Sequence, residues 1–171
     1  MGERGVMINN NAIQDVTFSD CASGHVGKIC LQLNCNSDCI HVLRSMVAVM
    51  TARAGMGELQ SNRVAIAVDE LFANISTHAY DGKPGKVEFE TSIVNAEQGH
   101  RVLVFDFRDY ASKGWEGSLD NVAATVPDHE HLSCGGLGLQ LMCAVADACE
   151  HEILEDGNHW QLVFHIHAKE Q

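Results

Sequence analysis

No stretch of this sequence approaches the roughly 20 consecutive apolar residues needed to cross a bilayer. The opening residues, MGERGVMINNNAIQD, also lack the apolar core of a signal peptide. No membrane span is expected, and the cytoplasm is the expected location. A myristoylation signal is missing too, because Gly2 is followed at the sixth position by Val6 rather than serine or threonine. Positive charge is scarce: 11 Lys and Arg stand against 23 Asp and Glu, for a formal net charge of −12. Phosphate backbones are held by clustered Lys and Arg, so this balance argues against a nucleic-acid binder. It suits a basic protein partner, or solubility alone. The seven cysteines are scattered and form no C-x-x-C, which excludes a zinc ribbon and a thioredoxin-type motif. Reduced thiols buried as small hydrophobes are expected instead. Internal repeats, low-complexity tracts and linkers are absent, and 171 residues suit one domain.

What the chain does have is amphipathic pattern. In Val64–Tyr80, VAIAVDELFANISTHAY, the residues Val64, Val68, Leu71 and Ile75 recur at the spacing of a core-facing helical stripe. On an adjacent edge Glu70, Asn74 and His78 recur every four residues and so stack along one side of the helix. A carboxamide oxygen is a hard ligand suited to Mg²⁺, and a carboxylate one turn away can orient or deprotonate a nucleophile. Taken alone, such a pair is more often a solvated polar edge.

Residues 1–13 read as a mobile leader and residues 14–171 as the single domain. Lys28–Leu33 alternates as a strand, and Ser37 is an N-cap for a helix from Asp38 to Ala54 that Gly55 stops. A second helix runs from Glu58 to about Ala79, ahead of the breaker Asp81-Gly82-Lys83-Pro84-Gly85. Lys86–Asn95 and Arg101–Arg108 form an antiparallel hairpin. Residues 110–134 have turn-forming composition and little periodicity, which is the signature of a functional lid. Gly135-Gly136-Leu137-Gly138 then leads into a helix from Leu139 to about Cys149. Strands His151–Leu154 and Trp160–His167 pair around Asp156-Gly157-Asn158. The order β-α-α-β-β-lid-α-β-β belongs to the α/β class as an α+β two-layer sandwich, with a mostly antiparallel mixed sheet and three helices on one face.

Two further places carry chemistry. Asp109 ends a strand, where a carboxylate can accept a hydrogen bond from an exocyclic amino group such as that of adenine. The glycines before the third helix let backbone approach phosphates at a helix N-terminus. Each is weak by itself. The pairs His129/His131 and His165/His167 share faces but lack a third ligand, and they read as ordinary histidines.

In this order, Glu70-x-x-x-Asn74-x-x-x-His78-Ala79-Tyr80, Asp109-x-Ala111 and Gly136-x-Gly138-Leu139 resemble the N box and the two glycine boxes of the GHKL ATPases. Within them the chain looks like the anti-sigma-factor serine/threonine kinases, from Lys28 onward. The resemblance implies a Bergerat-type ATP-binding fold that takes ATP or ADP with Mg²⁺. By position, Glu70 would be the general base toward a serine hydroxyl, and Asn74 the Mg²⁺ ligand with His78 beside it. Asp109 would read the adenine amino group next to Ala111, and Gly136, Leu137 and Gly138 would line the phosphates. The partners implied are a STAS-domain anti-anti-sigma protein as phosphate recipient and a sigma factor, with a homodimer possible and no direct contact to nucleic acid or membrane. The alternative is a non-catalytic module of the same fold that sequesters a sigma factor or other regulatory protein. One departure stands out: the family usually has Asp-x-Gly where this chain has Ala111. If that site needs φ > 0, alanine costs on the order of 1 kcal/mol or more; if the glycine only admits the base, a methyl is tolerated.

Overall fold

A computed structural model of the chain describes residues 4–8, 25–35, 39–95, 100–112, 114–124 and 137–167. Six strands form one sheet: β1 Arg4–Ile8, β2 His25–Cys35, β3 Gly85–Asn95, β4 Arg101–Asp109, β5 Ala148–Leu154 and β6 Gly157–His165. Their order is β1-β5-β6-β4-β3-β2. Every pairing is antiparallel, so the expected mixed sheet is antiparallel throughout its described strands. Helices α1 Cys39–Ala54, α2 Glu58–Asn74 and α4 Leu137–Val145 share one core with a single sheet face, and a short α3 spans Leu119–Ala124. The α+β two-layer sandwich is the architecture. No helix among the described residues is long and apolar enough to cross a membrane.

Alternation explains the core. Val87, Phe89 and Ile93 of β3 and Leu103, Phe105 and Phe107 of β4 face the helices, with Phe89 and Phe107 packed edge-on at 5.0 Å between centroids. Leu43, Met50, Val64, Val68, Leu71 and Met142 meet them from the helices, all fully buried. A smaller cluster of Val94, Val102, Val104, Ala148 and Val163 lies on the other face of the sheet. Gly55 does stop α1: its φ is +78°, its N–H donates to the Ala52 carbonyl, and Met56 N–H donates to the Thr51 carbonyl, both at 3.0 Å. That is the Schellman arrangement, which needs a residue at ease in the left-handed region.

Several boundaries differ from expectation. Within the expected leader, Arg4–Ile8 forms β1 and pairs with Glu152–Ala148 of β5, meeting that strand's outer backbone groups. The second helix changes pitch: Ile75–Ala79 is a π-helical turn in which Tyr80 N–H reaches back to the Ile75 carbonyl at 3.3 Å. Within the expected lid, Leu119–Ala124 is helical as α3. The last long helix begins at Leu137 and ends at Val145, so Cys149 lies in β5 and not in the helix. Tertiary contacts stop it there. Arg63 donates to the Val145 carbonyl at 3.1 Å, and Asp147 accepts the His165 N–H at 2.7 Å while its own N–H donates to the Val163 carbonyl. Ser37 and Gly136 lie outside the described residues.

Candidate functional site

The apolar stripe of α2 buries Val64, Ala67, Val68, Leu71 and Phe72, which turns the edge carrying Glu70 and Asn74 toward α4. Asn74 closes α2, and its Nδ2–H donates to the Glu70 carbonyl at 2.8 Å. That bond fixes the carboxamide, and Asn74 lines the cavities beside it. Gly138, in the first turn of α4, lies against the same pair: a β-carbon there would come within 2.5 Å of Glu70 Oε2 and 3.1 Å of Asn74 Nδ2. A side chain at this position would displace the Glu70 carboxylate, so glycine lets α4 and the two side chains stand this close. Its N-terminal backbone N–H groups and positive dipole end therefore lie beside Glu70 and Asn74. Glu70, Ala73, Asn74, Thr77, His78, Leu137, Gly138 and Leu141 line a cavity of about 340 Å³ there.

Asp109 belongs to the core-facing row of β4, two residues beyond Phe107, and is fully buried. Its Oδ1 accepts the Ala111 N–H at 3.2 Å and the Asn158 Nδ2–H at 2.9 Å, and its Oδ2 accepts Nδ2–H of the same amide at 3.2 Å. Asn158 Oδ1 accepts the Trp115 N–H at 2.9 Å and lies 3.1 Å from His151 Nε2. A second cavity of about 360 Å³ opens on this network, lined by Asn74, His78, Asp109, Trp115, Leu139, Asn158 and Trp160 among others. Its volume lies in the roughly 300–1,000 Å³ range of small-molecule sites. Asn74 and His78 line both cavities, so the two lie beside one another at these residues.

Ala111 is 4% exposed, does not line either cavity, and has no positive φ; Asp81 is the only non-glycine with one among the described residues. The methyl imposes no backbone strain. Tyr80 bridges the residue after β4 and the start of β3: its hydroxyl accepts the Tyr110 N–H at 2.8 Å and donates to the Lys86 carbonyl.

The structure thus brings together Glu70, Asn74, His78, Asp109, Leu137 and Gly138, places Ala111 beside Asp109, and leaves Gly136 outside the described residues. Sequence reasoning missed Asn158, His151 and Trp160. The available signal was alternation, because Asn158, Trp160 and Leu162 share the core-facing row of β6. Trp160 is 4% exposed and its indole Nε1 has no hydrogen-bond partner among the described residues, an orphaned donor in the wall of the cavity.

Burial lowers the pKa of His151 from its ordinary value, with the Asn158 hydrogen bond opposing, and burial also lowers that of His165. In the unfolded chain a histidine titrates near about 6.5. The folded pKa is the lower one, so this stabilisation is complete above about pH 6.5 and is lost as pH falls below it. The urea midpoint is expected to drop between about pH 6.5 and pH 5, and to drop less in His151→Gln, which keeps an N–H for Asn158 but takes up no proton. An identical slope in the variant contradicts this assignment.

A family model described as a histidine kinase-like ATPase domain matches residues 36–164 of the 171, well over half of the chain. No curated protein matches it.

Proposed function

The chain belongs to the histidine kinase-like ATPase domain family, and from that premise we propose a protein serine/threonine kinase of the anti-sigma-factor type. It binds Mg-ATP and phosphorylates a serine on a STAS-type anti-anti-sigma partner. An ATP-binding domain follows from the family; the acceptor, the metal and the partner are our reading. The observation that carries it is the packing of Glu70 and Asn74 against the Gly138 turn of α4. A base, a hard oxygen ligand and a helix N-terminus meet at one cavity, and the cavity beside it, which shares Asn74 and His78, holds a buried carboxylate. A nucleotide fits that polarity, with the amino-bearing base at Asp109 and the phosphates at α4.

In this reading Glu70 takes the proton from the acceptor serine as its oxygen bonds to the γ-phosphorus, and the bridging oxygen leaves with ADP. Asn74 would hold Mg²⁺ through Oδ1. Among the described residues no group of three His, Cys, Asp or Glu side chains could hold a metal, so phosphate oxygens and water would complete the ion's shell. Bound there, Mg²⁺ neutralises charge on the phosphates. The non-catalytic alternative drew on Ala111, and the unstrained backbone at that residue removes its main support.

Both tryptophans of the chain line the base cavity, which makes intrinsic fluorescence a direct probe. Mg-ATP and Mg-ADP are expected to shift tryptophan emission saturably, with calorimetric heat at the same midpoint. A STAS-domain protein encoded beside this chain should then gain acid-stable phosphate on serine. Neither heat nor an emission change at millimolar nucleotide would sink the proposal; binding without serine phosphate would leave the sequestering module.

A further inference from the structure

We propose that Asn158 is the positioning residue of the Asp109 cavity, holding Asp109 as an acceptor and tying the Trp115 backbone to it through the same carboxamide. The proposal rests on the nucleotide reading above and assigns a role to a residue outside its motifs.

Asn158 is 2% exposed and stands directly opposite Asp109 in the β4–β6 ladder. The orientation of its carboxamide is fixed by its neighbours. The Trp115 backbone N–H can only donate, so the oxygen must face it at 2.9 Å. The nitrogen therefore faces Asp109, donating at 2.9 and 3.2 Å to its two oxygens. His151 Nε2 lies 3.1 Å from the carboxamide oxygen, and with that oxygen accepting, the ring nitrogen carries the hydrogen.

The chemistry favours asparagine here over a cation. A buried carboxylate is costly unless donors surround it. A lysine or arginine would supply them but would also cancel the charge that a ligand's amino group is meant to find. A neutral amide orients the carboxylate without cancelling it. The purine amino group then meets an acceptor, whereas a guanine carbonyl at the same place meets another acceptor and is refused. The carboxamide oxygen meanwhile anchors Trp115 in the segment that follows β4, so base reading and the placing of this cavity-lining tryptophan share one side chain.

Asn158→Asp isolates the donor function. It keeps the oxygen that Trp115 and His151 use, but sets a carboxylate against Asp109. Two carboxylates at that distance share a proton, so one of the pair titrates higher than an ordinary carboxyl group. The titratable groups around it are Asp109 of β4 and His151 of β5, with His78 and Glu116 lining the same cavity. We expect Asn158→Asp to bind Mg-ATP about 10–100-fold more weakly than wild type at pH 8. The variant-to-wild-type ratio should recover toward one as pH falls to about 5.5, because the shared proton restores a donor to Asp109. Taking the ratio removes any effect of His78, which both proteins carry. Because the variant could fail to fold, Asn158→Thr and Asn158→Val provide a near-isosteric pair that differs in one hydroxyl donor. Threonine should retain at least about fivefold tighter Mg-ATP binding than valine at matched urea midpoints. A flat ratio across pH in a folded Asn158→Asp, or equal affinities for the threonine and valine variants, overturns the proposal. If wild type itself shows no Mg-ATP binding, it is the nucleotide reading that has failed.

Discussion

Glu70→Ala is expected to lower phosphotransfer to serine by about 10²–10⁴-fold, the range for loss of a general acid–base group. Mg-ATP affinity in the same variant should stay within about threefold of wild type, or tighten. The split follows from position. Glu70 Oε2 lies where α4 begins, within 2.5 Å of where a β-carbon on Gly138 would stand. A carboxylate so near the expected phosphates repels them in the ground state and favours only the step in which the serine proton leaves. Removing it therefore costs turnover and not binding. Glu70→Gln should match alanine in turnover, since it preserves shape but cannot accept the proton. Single-turnover phosphotransfer alongside equilibrium nucleotide binding measures both quantities. If Glu70→Ala transferred phosphate at the wild-type rate, the base assignment would be wrong. If it lost affinity in proportion to turnover, Glu70 would be acting on bound nucleotide or metal.

Much of this site was legible in sequence because its parts lie on local, periodic elements. The four-residue rhythm of Glu70, Asn74 and His78 needs only one helix, and the stripe beside it says which side faces the core. The hairpin of VEFETSIVN and RVLVFDFRD shows its alternation openly, and the same alternation places Asp109 in the row of Leu103, Phe105 and Phe107. A carboxylate in a core-facing row is a stronger functional signal than a carboxylate at a strand end.

The parts that were not legible depend on partners far along the chain. Arg4–Ile8 is a strand because the edge of β5 is there to receive it, and its own five residues carry no clear alternation. The end of α4 is hidden in LQLMCAVADACE, apolar on both sides of the true boundary. Arg63, more than eighty positions upstream, and the β6 backbone decide where the helix stops. The π-helical turn at Ile75–Ala79 inserts one residue into a pattern where four-residue and five-residue steps look alike. Asn158 reads as a turn residue until β4 is laid beside β6. Its partner is Asp109, forty-nine positions earlier, so pairing and not composition makes it part of the site.

That pairing also predicts the largest loss of stability. Gly157 has φ +143°, and a β-carbon there would come within 2.1 Å of the Asp109 carbonyl oxygen and 2.9 Å of Tyr110 Cα. Both neighbours are backbone, so no side-chain rotation can relieve the contact. Gly157→Ala is expected to cost about 3 kcal/mol or more, combining a strained dihedral with forced separation of β4 and β6. Gly82→Ala supplies the comparison: its φ is +70°, but nothing among the described residues lies within 4 Å of the added carbon. Dihedral strain alone should cost it about 1 kcal/mol. The difference between the two urea midpoints reports the steric part together with the greater strain of φ +143°, and equal midpoints would mean that the β4–β6 approach is looser than it stands here. Separating these strands also draws Asn158 away from Asp109. Folded Gly157→Ala should therefore lose nucleotide affinity as well as stability, whereas Gly82→Ala should lose only a little stability.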